Sequence, residues 1–395
     1  MKFLLIYVPN LRFNNDPYKK YNLYEFATRV TRKNKDNVSN LPLTISAQYG
    51  LVDQVSFFNK TVASKDMSGY YLLKNGEFAY NKSYSNDYPW GAIKRLDLYD
   101  MGCLSTLYIC FKTNDNIVNS NYLVHYFESS KWHKQVADIA GEGARNHGLL
   151  NIVVNDFFNT KHAVPTIENQ IKIAGFLDLI EKRIQTQIKI IDDCISYRNA
   201  IVDYYFESLS GNWKKVKLSN ILKEYSELHI KDDSIVHATL SKEGIFPKTD
   251  RYDRDFLVKD EDKKYKVTHL NDICYNPANL KFGVITRNTF GDCIISPIYI
   301  TFKIKSGFIP KFVELLVTRK QFISKARKYE QGTVYERMSV NSSDLLSMYV
   351  LIPSFSIQQK IVNIINNIDN KIFNEQKLLN LYKLQKVYLL KNMFI

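Results

Sequence analysis

This chain lacks long apolar runs, paired cysteines and a phosphate-cradling glycine loop, and each lack removes a class of function. No stretch approaches the roughly 18–20 apolar residues that span a bilayer. Residues 3–8 are apolar after a single lysine, but the run stops at Pro9 without a small-residue cleavage site, which argues against a signal peptide. The five cysteines (Cys103, Cys110, Cys194, Cys274 and Cys293) are odd in number and include no CxxC pair. That is the usage of reduced, mostly buried thiols in a cytoplasmic protein. The seven histidines show no zinc-ligand spacing with cysteine. No GxxxxGK[ST] loop is present, so ATP hydrolysis is not expected. Base methylation would need an Asn/Asp-Pro-Pro-aromatic turn; Asn276-Pro277-Ala278-Asn279 comes nearest and lacks the second proline and the aromatic. Glu261-Asp262-Lys263, downstream of Asp250, comes nearest to a nuclease's acidic cluster, but it sits in a dense charge run and reads as an exposed turn. No Ser-His-Asp set can be assigned, and no catalysis is visible in the sequence.

Positive charge is in excess: 54 Lys and Arg against 40 Asp and Glu give a net charge of +14. Cations that neutralise phosphates gain affinity by counterion release, so a polyanionic partner is expected. A genome that favours lysine would give the same balance. The 395 residues suit two or three domains, and a hydrophobic content of 45% lets each half bury its own core.

The chain also repeats itself. Residues 165–206 and 353–394 align without a gap, 188 positions apart. Pro165 meets Pro353, Gln170 meets Gln358, Lys172 meets Lys360, Ile173 meets Ile361, Ile180 meets Ile368, Ile184 meets Ile372 and Phe206 meets Phe394. The match extends outward: Lys19-Lys20-Tyr21-Asn22-Leu23 with Lys214-Lys215-Val216-Lys217-Leu218, Tyr80-Asn81 with Tyr275-Asn276, and residues 105–112 with 296–303. A period near 190 is too long for a solenoid, whose repeats run about 20–50 residues, so this is a tandem pair of modules. Both aligned segments are amphipathic. Ile173, Leu177, Ile180, Ile184, Ile188, Ile191 and Ile195 recur at spacings of three and four, continued by Val202 and Tyr205. In the second copy Ile361, Ile364, Ile365, Ile368, Ile372, Leu379, Tyr382, Leu389 and Met393 do the same. The spacing predicts two helices with coiled-coil-like seams, each a rod of roughly 60 Å; each is the obvious partner of the other, the alternative being that each packs on its own domain, which would leave the far end of the rod uncovered.

The intervening segments contain short β-branched and aromatic runs (107–111, 152–154, 294–295, 298–302) broken by turn formers, with one helical stretch near 120–139 and another near 310–330. The expected architecture is α+β: a tandem pair of mixed, mostly β domains, each with a helix before its final strand and a long helix after it. The boundaries fall at 1–164, 165–210, 211–352 and 353–395. Three loop families carry side chains suited to duplex DNA, amides and hydroxyls for base edges and cations for phosphates. The first offers Asn81, Lys82, Ser83, Tyr84, Trp90, Lys94 and Arg95, with Asn276, Asn279, Lys281 and Arg287 as the second copy. The second is glycine-rich and offers Arg145 and Asn146, with Thr333, Tyr335 and Arg337. The third offers Gln48 and Tyr49. Each loop also reads as a solvated turn, because polarity alone does not separate the two.

Pro353-Ser354-Phe355-Ser356-Ile357-Gln358-Gln359-Lys360-Ile361, leading to Ile368-Asp369-Asn370-Lys371-Ile372, resembles the signature of type I restriction–modification specificity subunits. Pro165, Gln170, Lys172, Ile173 and Ile180-Glu181-Lys182-Arg183-Ile184 carry the first copy, with Glu181 where aspartate is usual. The openings Val8-Pro9-Asn10-Leu11-Arg12-Phe13 and Trp213-Lys214-Lys215-Val216-Lys217-Leu218 are also similar, the first without the usual tryptophan. The resemblance covers essentially the whole chain. It implies two target-recognition domains that each read half of a bipartite site in double-stranded DNA, with the helices as spacer. It further implies two methyltransferase subunits docked on the helices, a restriction and translocase subunit in the assembly, and a cytoplasmic location. S-adenosylmethionine, ATP and Mg would act in those partners, with no cofactor, no metal and no catalysis in this subunit. A degenerate or fused DNA methyltransferase or nuclease, or a structural adaptor that binds no DNA, is the alternative.

Overall fold

The computed structural model describes residues 18–46, 48–85, 88–141, 148–230, 234–248, 264–331 and 338–395. The chain divides into two compact units, Met1–Lys189 with Gln376–Ile395, and Ile190–Glu375. Each unit therefore combines one β-rich module with parts of both long helices.

The first unit opens with β1 (Lys19–Asn22), a single turn α1 (Leu23–Phe26) and β2 (Ala27–Arg29). A hairpin of β3 (Leu43–Ser46) and β4 (Gly50–Asp53) leads into the short helix α2 (Gln54–Phe58). Five strands follow: β5 (Tyr71–Lys74), β6 (Phe78–Asn81), β7 (Ala92–Arg95), β8 (Met101–Leu104) and β9 (Ile109–Thr113). The module closes with α3 (Ser120–Glu128), α4 (His133–Ile139), α5 (Val154–Phe158) and β10 (Lys161–Val164), and α6 (Ile167–Glu207) leaves it. The central antiparallel sheet has the order β2-β9-β6-β7. It is covered on both faces, because alternate side chains of a strand point to opposite sides. Phe78, Tyr80 and Phe111 enter one core and Ala79 and Cys110 another. Phe78 and Phe111 are cross-strand partners whose rings stack at 5.3 Å.

The second unit rebuilds this plan. Its strands are β11 (Lys214–Lys217), β12 (Leu222–Tyr225), β13 (Leu228–Ile230), β14 (Val236–Leu240), β15 (Ile245–Pro247) and β16 (Lys264–Thr268). Then come β17 (Ile273–Tyr275), β18 (Ile285–Arg287), β19 (Cys293–Ile295) and β20 (Ile300–Ile304). Helices α7 (Pro310–Val317), α8 (Lys320–Ala326) and α9 (Ser342–Ser347), strand β21 (Tyr349–Ile352) and helix α10 (Phe355–Met393) complete it. The order β12-β20-β17-β18 matches β2-β9-β6-β7 strand for strand. Lys19 pairs with Val164 and Lys214 with Ile352, the same register in both copies. Where the second unit has a five-stranded sheet, β13-β16-β19-β14-β15, the first has two separate pairs, the hairpin β3-β4 and the pair β5-β8, with single bridges Pro42↔Cys103 between them and Lys33↔Tyr71 beside β5.

Two sequence expectations change. The helical stretch of each module is two helices, and a third short helix precedes the final strand. Ser129 Oγ donates to the Tyr126 carbonyl at the end of α3, and Thr318 Oγ1 to the Glu314 carbonyl at the end of α7. The run 152–154 is not a strand: Val153 is extended and Val154 begins α5. Within the seams, burial alternates by four and three, but Gln187 and Arg198 occupy inward positions while Ile195 and Ile364 are exposed.

Each long helix contributes to both cores. Ile173, Leu177 and Ile180 of α6 pack in the first unit, whereas Val202 and Phe206 pack in the second. Ile361, Val362 and Ile365 of α10 pack in the second, whereas Leu389, Met393 and Phe394 pack in the first. In the first unit Lys386 Nζ lies 2.7 Å from Glu181, and the Arg183 guanidinium sits 4.4 Å over Tyr382, so the two helices run antiparallel there. In the second unit Asp369 pairs with Arg198 and, at 3.2 Å, with Lys311.

The paired glutamines of the repeat have a common structural task. Gln170 is fully buried; its Oε1 accepts from Asn119 N at 2.8 Å and its Nε2 donates to Pro165 O at 2.8 Å and Ile117 O at 3.2 Å. Gln358 accepts from Ile309 N at 3.1 Å and donates to Pro353 O at 3.2 Å. Each side chain ties the proline-led start of a long helix to the N-terminus of α3 or α7. Replacing Gln170 or Gln358 by alanine is expected to cost about 2–4 kcal/mol in urea unfolding, since it orphans buried backbone groups.

His162 is a second buried polar group, held in the first core only. Thr160 Oγ1 donates to Phe157 O at 2.7 Å, so it accepts from His162 Nε2 at 2.8 Å; Nδ1 then accepts from Tyr126 Oη at 2.9 Å. The ring is thereby fixed neutral, and burial lowers its pKa from 6.5 to about 4. Below pH 6.5 the unfolded chain takes up a proton that the folded chain refuses, so stability falls as pH drops from about 6.5 to 4, by roughly 3 kcal/mol. His162→Val, which copies Val350 at the equivalent place, is expected to remove that slope from a pH series of unfolding curves.

Candidate nucleic-acid interface

Tyr80 and Tyr275, which open the first loop family, belong to the cores. Tyr80 Oη donates to Trp90 O at 2.8 Å and Tyr275 Oη to Val340 O at 3.0 Å, and burial pushes both phenols well above their ordinary pKa. The next residue caps the loop in both copies: Asn81 Oδ1 accepts from Ser83 N at 3.0 Å and Asn276 Oδ1 from Ala278 N at 3.1 Å. These asparagines spend an amide oxygen on shaping the turn. At Gly91 φ is +77°, and an added Cβ would lie 2.2 Å from Asn81 O, so only glycine lets the loop return to β7.

Backbone hydrogen bonds place the second loop family beside the first. Leu150 N donates to Lys82 O at 3.0 Å, Tyr84 N to Gly148 O at 3.1 Å, and Val340 N to Pro277 O at 3.2 Å. In each module the flank of the glycine-rich loop therefore runs along the β6–β7 or β17–β18 connection. Arg145, Asn146, Thr333, Tyr335 and Arg337 lie outside the described residues, as do Asp250, Glu261 and the opening at 8–13.

The third family lies elsewhere. Gln48 and Tyr49 form the β3–β4 turn and line a cleft of about 340 Å³ with Lys94, Arg95, His125 and Glu128. This cleft is at the far end of β7 from the Asn81 loop, since Asn81 pairs with Ala92 and Phe78 with Arg95. The cations in it are engaged internally. Lys94 is ion-paired with Glu128, and Arg95 donates to Asp97 at 2.6 Å and to Ser120 and Asn121 at 2.8 Å. Arg287, at the matching end of β18, donates to Glu314 at 2.8 Å and Asn271 at 2.6 Å. The two arginines share a structural role, tying the outer strand to the helix that follows the sheet.

Ser83 and Lys281 remain exposed, Tyr84 and Trp90 partly so, and Asn279 is half-buried in the turn that Asn276 caps. The sequence reasoning passed over Phe282, 66% exposed, whose ring lies 5.2 Å from Lys281 Nζ. It also missed Phe57 and Phe58 on α2, both 45% exposed and in edge-to-face contact at 5.0 Å. An aromatic within a polar, lysine-bearing loop was the available signal, because exposed rings can stack on bases or wedge between them. Among the described residues no His, Cys, Asp and Glu cluster could hold a metal ion.

No protein-family model and no curated protein matches the chain. Solved structures do. A chain from a structure of a type I restriction–modification system, concerned with complex assembly and conformational transition, superposes with a TM-score of 0.58 at 12% identity, covering 95% of this chain and 96% of that one. The S subunit of a type I restriction–modification system from M. genitalium gives 0.51 at 14% identity, covering 98% and 99%. The chain thus has an α+β fold shared, over nearly its full length, with proteins of type I restriction–modification systems.

The geometry separates two groups of residues. Arg287→Ala is expected to cost roughly 1–2 kcal/mol of stability, because Glu314 would lose its shorter contact in a largely desolvated cluster and keep only Lys311 at 3.5 Å. Lys281→Ala is expected to leave the unfolding midpoint within about 0.5 kcal/mol. For a loop that contacts duplex DNA, the same change should weaken binding severalfold and flatten its salt dependence by about one counterion. Parallel unfolding and DNA-binding titrations check both.

Proposed function

We propose that this chain is the DNA sequence-recognition subunit of a type I restriction–modification complex, with no catalytic chemistry of its own. The observation that carries the reading is the duplication. Two modules with one sheet order present the same pair of adjoining loops, on a chain whose fold is shared end to end with an S subunit. In this reading residues 1–164 and 211–352 are target-recognition domains, and the exposed side chains at the β6–β7 and β17–β18 connections contact DNA. Segments 165–210 and 353–395 form the spacer. A 41-residue helix at 1.5 Å per residue is roughly 60 Å long.

The outer faces of the helices are suited to protein partners. Leu381, Leu384 and Val387, at spacings of three on α10, are 61%, 65% and 64% exposed. Apolar side chains of this size, grouped on a helix, mark contact surfaces. Two methyltransferase subunits are the partners proposed for them, joined by restriction and translocase subunits. S-adenosylmethionine, ATP and Mg belong to those subunits in this reading. Among the described residues no helix is long and apolar enough to cross a membrane, and a cytoplasmic location is proposed.

Methylome sequencing of cells with and without the gene tests the proposal. Loss of one bipartite N6-methyladenine motif on deletion is the expected result. An unchanged methylome, together with salt-insensitive or sequence-blind DNA binding by the purified complex, would sink it.

A further inference from the structure

A cavity of about 300 Å³ opens in the second unit where the end of α6, the start of α8 and the β11–β21 ribbon meet. Its floor is apolar and aromatic: Phe206, Trp213 and Phe322 are 7%, 9% and 5% exposed. Its wall carries three cations, Lys215, Arg319 and Lys325. Arg319 is already balanced, 3.2 Å from Glu207 and 3.7 Å from Asp203, and it lies 4.6 Å over the Phe206 ring. Its buried Nε is the atom that faces Asp203, at an ion-pair distance longer than a hydrogen bond. Lys215 lies 5.0 Å from the half-exposed Tyr349 ring, and among the described residues neither Lys215 nor Lys325 is paired with a carboxylate. The volume is at the lower end of the roughly 300–1,000 Å³ of small-molecule sites.

The repeat supplies an internal control. At the matching places the first unit has Phe394 for Phe206, Lys20 for Lys215 and Tyr126 for Leu316. It has Trp132 for Phe322, and that indole is only 1% exposed, filling space that the smaller ring leaves open. Gln135 stands for Lys325 and accepts a hydrogen bond from Lys161 N at 3.4 Å, and Ser129 stands for Arg319. The fold therefore does not require the cavity or its charge. They arise in one copy from a smaller ring and two added cations.

We propose that this cavity binds a planar aromatic phosphate, the chemistry of a nucleoside monophosphate. The base would rest on the ring-lined floor and the phosphate between the ammonium groups of Lys215 and Lys325. Ring faces and edges suit a flat heterocycle, and cation donors suit phosphate oxygens. The site is independent of the DNA-reading loops, and its binding does not rest on the function proposed above.

Calorimetric titration of the full chain with AMP tests it, with adenosine, inorganic phosphate and a short 5′-phosphorylated single-stranded oligonucleotide as comparison ligands. Saturable AMP binding is expected, with a Kd on the order of 0.1–1 mM. Adenosine and inorganic phosphate should each bind at least about tenfold more weakly, since each lacks half of the recognised chemistry. Lys325→Gln and Lys215→Gln, both surface changes, should each weaken AMP by about tenfold, and Phe322→Trp should abolish binding. Tighter binding of the oligonucleotide than of AMP would identify a strand terminus as the source; the reverse order would identify the free nucleotide. Absence of saturation by AMP, equal binding of adenosine, or unchanged affinity in both lysine variants would overturn the proposal.

Discussion

Closure of each core by a phenylalanine at the end of a long helix is the constraint on which the rest depends. Phe394 sits 5.3 Å from Tyr122 and 5.8 Å from Tyr126; Phe206 stacks on Phe312 at 5.3 Å and meets Trp213 at 5.3 Å. Burying such a ring stabilises by about 1.5–3 kcal/mol, and each is surrounded by further helix residues that enter the same core. A helix that starts in one core and ends in the other cannot be shortened without opening a core.

Within that frame the two copies divide into parts that must agree and parts free to differ. Sheet order, ribbon register, the glutamine ties and the asparagine caps agree, because each satisfies buried backbone groups or fills a core. The loops that the caps shape differ in length and side chains. So do the second sheet, reduced in the first unit, and the cavity under α6, closed there by Trp132.

The sequence made the duplication and both long helices legible, since a three-and-four apolar spacing held over some 40 residues matches the helical period and no strand or loop pattern. It also made legible the two mixed modules and the loops at their edges. It misplaced details decided by neighbours. Ile195 and Ile364 fit the apolar spacing yet are exposed, while Gln187 and Arg198 take inward positions, Arg198 in an ion pair with Asp369. Among the candidate site residues, Lys94, Arg95 and Arg287 looked free because their partners Glu128, Asp97 and Glu314 are not marked as such by any local pattern.

By itself, then, the sequence determined what is periodic and what is repeated: helix faces, core composition, the order of the modules, and an excess of positive charge. Those properties follow from local spacing and from comparing one half of the chain with the other. Only the tertiary structure decided which polar side chains are spent inside the protein and which remain available, and that Phe322 with Lys215 and Lys325 leaves an open, charged cavity. Ion pairs and cavities depend on atoms brought together from distant positions at ångström precision, and neither charge nor periodicity along the chain records that meeting.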